Sequence, residues 1–156
     1  VLNALLPRQI DNAYHGQKLA LWLFAAVVLM KTVMSVNSIF LGHLVASSAD
    51  GIPLDTYTPA GAQAVISLFA IWGLAQLVIC LLCAFVLARY RAFVPFMFAV
   101  LLLEHLSRKV VLYFLPVSTA GSSPGSGVNL VLLTLMVVGL ALSLVPRTIP
   151  HMQTRA

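Results

Sequence analysis

Glu104, His105, Arg108 and Lys109 all fall within one long apolar stretch, residues 93–117, FVPFMFAVLLLEHLSRKVVLYFLPV. A carboxylate, an imidazole and two cations in that setting can pair with one another, pass a proton or capture an anion. On a helix, Glu104 and Arg108 are spaced i,i+4, as are His105 and Lys109, so each pair can meet along the helix surface. At 100° per residue, the arc from Ser107 through Glu104 and Arg108 to His105 and Lys109 covers roughly 200° of the circumference. Lipid cannot surround such a helix, because charges at that depth are costly and turn towards protein or water.

The elements that must hold these side chains follow from composition. The 156 residues are 61% hydrophobic and 8% charged, against about 25% charged in a soluble domain. Runs of about 20 apolar residues can each cross a bilayer as a helix. Four fit, at about 19–41, 63–88, 93–117 and 128–145. The expected fold is all-α: an integral membrane four-helix up-down bundle forming one domain, with 43–62 as an extracytoplasmic cap loop. Residues 1–18 form a cytoplasmic or interfacial lead-in to the first span; the alternative lays Leu2, Leu5, Leu6 and Ile10 on the membrane surface with Arg8, Asp11 and Lys18 in water. Residues 146–156 form a tail. The run after Lys18 is too long for a signal-peptide core and lacks a small-residue cleavage site.

Depth brings a second charge into play. Lys31 lies 12 residues into the first span, roughly 18 Å, and Glu104 lies 11 residues into the third, roughly 17 Å. Both spans run the same way, so a Lys31–Glu104 contact at mid-depth avoids two isolated charges. Gln76, reached from the opposite side, is near that level. Lys31, Ser35, Ser38 and Gly42 share one helical stripe, as do Gly73, Gln76, Cys80 and Ala84, and small residues of this kind line helix–helix contacts in membranes. Gly139 and Ser143 make a further such pair. Lys31, Arg108 and Lys109 outnumber Glu104 by two. Either Asp50 and Asp55 fold back from the cap to supply counter-charge, or the surplus receives an anionic or quinone-like group.

Orientation follows from the basic residues. Arg8, Lys18, Arg89, Arg91, Arg147 and Arg155 fall on one side, and the opposite loops have none. The positive-inside rule then makes both termini cytoplasmic, in a bacterial inner membrane. The formal charge of +5 reports this topology. No basic patch interleaved with aromatics points to nucleic acid.

Other motifs are weaker. Cys80 and Cys83 spell C-x-x-C, the spacing used by four-helix membrane thiol oxidoreductases such as the vitamin K epoxide reductase family. This chain is similar to that family in span number only, and no basic neighbour lowers a thiol pKa. His43 and His105 differ in level by roughly 15–18 Å and cannot share a haem, while His15 and His151 lie at the cytoplasmic edge. Glu104 with His105 supplies at most two metal ligands where three or four are needed. No phosphate loop or nucleophile motif occurs, so no catalytic residue, metal or cofactor is expected, apart from a bound lipid or quinone-like molecule. The preferred expectation is a non-catalytic accessory or assembly subunit, with membrane lipids and other subunits or further copies as partners. The alternative is a membrane-embedded ligand site, in a transporter, receptor or small enzyme, built on Lys31, Gln76, Glu104, His105, Arg108 and Lys109.

Overall fold

The computed structural model describes residues 5, 12, 14, 16–119 and 124–146. Leu2, Leu6, Arg8, Ile10, Asp11, His15, Arg147, His151 and Arg155 lie outside the described residues. Within them all regular structure is helical. Four long helices dominate: α1 (Lys18–Phe40), α2 (Pro59–Arg89), α3 (Val94–Phe114) and α4 (Pro124–Leu144). Three of them, α1, α2 and α4, are long and apolar enough to cross a membrane. The remaining helix, α3, equals α4 in length but carries Glu104, Arg108 and Lys109.

Local chemistry sets the helix starts. Thr58 caps α2, its side-chain oxygen accepting from the Gly61 N–H at 3.2 Å, and Pro59 occupies the first turn, where its missing N–H does no harm. Residues 59–61 read as turn chemistry in the sequence, yet they open this helix. Likewise α4 begins at Pro124, inside the stretch 118–127 that reads as a polar loop. Its Gly125 lies so close to the cap that a Cβ there would stand 2.9 Å from the Ala49 carbonyl oxygen. Close backbone approach explains a glycine that helix propensity alone disfavours.

α1 runs antiparallel to α2 and α4. Along α1 and just past its end, Lys31, Ser38 and Gly42 meet Gln76, Gly73 and Ile66 of α2 in falling order. At the other end, the Gln17 N–H donates to the Leu142 carbonyl of α4 at 3.3 Å. Gly139 of α4 leaves room for the ring of Phe98, which a Cβ would overlap. That ring meets Phe24 edge-on at 4.9 Å, and both are buried with Val27, Leu101, Leu132 and Met136. Ser35 and Ser38 are buried because each hydroxyl donates back to its own helix, to the carbonyls of Lys31 and Met34. The α2 stripe departs from the expected one. Gly73, Gln76 and Cys80 are buried, but Ala84 is exposed and the line continues through Cys83 and Val86. A strict i+4 row is inclined to the helix axis and leaves the contact, whereas steps of three and four follow it.

The connection between α1 and α2 is ordered. A one-turn helix, Gly42–Leu44, runs into a wide turn, Val45–Ala49, closed by the Asp50 N–H donating to the Val45 carbonyl at 3.0 Å. Gly51 follows in the left-handed region at φ 69°, which glycine adopts without a steric cost. Ala46, Ile52 and Leu54 are buried against Val65, Ile66 and Phe69 of α2. This apolar clamp fixes where Asp50 sits.

Candidate functional site

Each helix brings one part of the site. From α1, Lys31 donates to Glu104 Oε2 at 2.9 Å and to Gln76 Oε1 at 3.3 Å. On α3, Arg108 donates to the other carboxylate oxygen, Oε1. One carboxylate thus bridges two cations. Lys31 is only 4% exposed, and a buried ammonium persists when it is paired and hydrogen-bonded. The Arg108 guanidinium carbon stands 4.5 Å above the Trp72 ring of α2, so the ring face takes up positive charge on its other side. Amide Nε2 of Gln76 reaches Cys80 Sγ at 3.9 Å. Cys80 and Cys83 are both free and buried, in keeping with small apolar packing residues.

A cavity of about 250 Å³ lies beside this network, lined in part by Lys31, Ser38, Trp72, Gln76, His105 and Arg108. His105 is 2% exposed, and its buried Nε2 has no partner among the described residues. Buried polar atoms are nearly always satisfied, so this nitrogen, like the buried Nε of Arg108 on the same cavity, has unspent hydrogen-bonding capacity. Asp50 and Asn129 line the same cavity. Lys31 and Arg108 are two cations set against Glu104 and Asp50, so the charges around it balance. A second cavity, of about 510 Å³, shares Asp50, Trp72, Arg108 and Asn129 with the first and adds Lys109.

The structure gathers Lys31, Gln76, Glu104 and Arg108 into one bonded network and sets His105 against the same cavity. The polar arc of α3 is turned inward only at its centre: Ser107 and Lys109 are exposed. Asp50 lines both cavities, whereas Asp55 is exposed and lines neither. Burial of Leu54 beside it turns the short Leu54–Thr56 helix so that Asp55 faces outward. No cluster of three potential metal ligands occurs among the described residues. Trp72 and Asn129 were not marked by sequence reasoning. Asn129 had a usable signal as the one side-chain amide in the run 128–145. Trp72 had a weak one, standing far deeper than an interfacial tryptophan.

Burial raises the Asp50 carboxyl above its ordinary range, with Arg108 and Lys109 only partly offsetting it. A raised folded pKa means that ionised Asp50 costs stability. That cost is absent below the unfolded pKa of about 3.9 and appears as pH rises through the folded value. Asp50→Asn is therefore expected to melt no lower than the unaltered chain at pH 7, the two converging near pH 4. A midpoint clearly lowered at pH 7 would make Asp50 a required counter-charge.

Fold and site together define, among the described residues, an all-helical protein with three helices apolar enough to cross a membrane and a fourth whose partly buried charges pair with a buried lysine. Neither a protein family, a curated protein nor a solved structure matches this chain.

Proposed function

We propose that the chain is an integral membrane protein, a four-helix up-down bundle in which α3 crosses the bilayer beside the other three. Its inner cavity binds a small neutral molecule bearing carbonyl oxygens, of quinone-like type. The 21 residues of α3 give roughly 31 Å of helix, enough for a hydrocarbon core of about 30 Å. Pairing of Glu104 with Lys31 and Arg108 answers the objection for those charges, and Lys109, five residues before the end of α3, can extend its ammonium outward. Lys18, Arg89 and Arg91 are exposed near the ends that would face the cytoplasm of a bacterial inner membrane.

The observation that carries the ligand reading is the unpartnered Nε2 of buried His105 in a cavity whose two cations, Lys31 and Arg108, are set against Asp50 on its wall and Glu104 bonded to both. A balanced site has little reason to take an anion. It can hold a carbonyl oxygen on the imidazole N–H, with Trp72 as an aromatic wall. Trp72 also supplies the test. In a Trp22→Phe background, a short-tailed benzoquinone should quench Trp72 fluorescence saturably. His105→Ala should weaken that binding by about two- to tenfold, the worth of one hydrogen bond. Linear, unsaturable quenching, equal in both proteins, would reject the site.

A second reading, an accessory or assembly subunit, draws on a separate observation: every residue from 109 to 119 is exposed. The outer end of α3 stands clear of the other helices, with Lys109 among Val110, Val111 and Tyr113, as a face for another subunit would. The particle mass after extraction in a mild detergent separates a lone chain from a complex.

A further inference from the structure

We propose that the larger, outer cavity is an anion site that takes a phosphate-type headgroup. Arg108 and Lys109 are its cations, Asn129 and Thr119 its neutral hydrogen-bonding groups, and Leu112 and Val117 the wall for an attached apolar chain. This rests on the membrane reading above but not on the quinone-like ligand of the inner cavity.

Charge separates the two cavities. Lys31, Arg108 and Lys109 set against Glu104 and Asp50 leave one positive charge over, and Lys109 lines the outer cavity but not the inner. Lys109 makes no ion pair among the described residues, and Arg108, though it gives a terminal nitrogen to Glu104, leaves its buried Nε without a partner. At about 510 Å³ the outer cavity is twice the volume of the inner, room for a phosphate ester rather than a lone ion. Depth agrees. Lys109 stands five residues before the end of α3, roughly 7–8 Å, within reach of the headgroup layer for a side chain that extends its ammonium outward. Phe69, Leu112 and Val117 add the apolar surface that a free ion would not need.

Lys109 is exposed and can be changed without disturbing the core. The test uses the full chain in a neutral maltoside detergent, titrated separately with dioleoyl phosphatidylglycerol, dioleoyl phosphatidylcholine and inorganic phosphate, with bound mass read by native mass spectrometry. One phosphatidylglycerol should bind in preference to phosphatidylcholine. Lys109→Gln should weaken it about fivefold and Lys109→Glu about 25-fold, at the usual worth of one cation near an anionic lipid. Lys18→Gln, at the opposite end, should leave it unchanged. Competition by inorganic phosphate would assign the site to a free phosphate group, and its absence to a lipid headgroup. Equal binding of both lipids, or an equal loss with Lys18→Gln, would overturn the proposal. A chain that stays soluble without detergent would fail the membrane reading instead, and that result is read before any lipid is added. His105 lines the inner cavity and not the outer, so the dependence of Trp72 quenching on His105 reports the inner cavity separately and should persist in Lys109→Glu.

Discussion

Glu104→Ala is expected to lower the free energy of unfolding by about 3–5 kcal/mol, the cost of leaving a buried charge without its partner. Lys31 is 4% exposed, and its ammonium has two hydrogen-bond acceptors, of which Glu104 is the charged one. Removing the carboxylate also frees Arg108 from its anchor, so the Trp72 stacking loses its geometry. Lys31 cannot escape along its own stem, because Ser35 and Ser38 close the stripe above it against Gly73. The double variant Lys31→Met with Glu104→Leu should recover most of the loss, since an apolar pair of similar volume has no desolvation cost to offset. Thermal or denaturant unfolding in detergent measures both. A loss from Glu104→Ala below about 1 kcal/mol, the range of exposed pairs, would show that water reaches Lys31.

Gly73→Leu is the second large effect. A Cβ at position 73 would stand 2.9 Å from the Ser35 carbonyl oxygen and 2.9 Å from Ser38 Cβ. The first obstacle is backbone, which cannot rotate aside as a side-chain tip can, so α1 and α2 must separate. Overpacking of this kind costs about 1–3 kcal/mol, occasionally more, and a leucine where even a methyl does not fit belongs at the upper end. Gly73 also lines the inner cavity, so quinone quenching of Trp72 should fall with stability. Ala84→Leu is the internal control: it lies on the same helix, is exposed, and should change the midpoint by no more than about 0.5 kcal/mol.

The helical class and the approach of Lys31 to Glu104 were legible in the sequence because both depend on one-dimensional quantities. Apolar run length gives a helix that can cross a bilayer, and counting residues from a common face gives depth. Features that depend on three-dimensional approach were not legible. Pro124 and Gly125 have the composition of a flexible loop; Pro124 suits a first helical turn, and the nearness of Ala49 and Asp50 explains the glycine beside it. Ala84 falls on a straight i+4 row but not on the contact line that α2 follows around α1. Asp50 and Asp55 look equivalent as cap carboxylates. Burial of Ile52 and Leu54 decides which of the two faces the cavities. Trp72 passed for one more apolar residue because nothing in the sequence shows that Arg108 comes to rest on its ring.

The central claim is that this buried network encloses a ligand site. The most direct measurement is native mass spectrometry of the full chain extracted in mild detergent from the membranes in which it is made. The predicted result is one small molecule held per chain, displaced by added short-tailed quinone and depleted in His105→Ala. The contradicting result is no uptake of quinone by either protein, or a quinone-displaceable adduct that is the same with and without the imidazole.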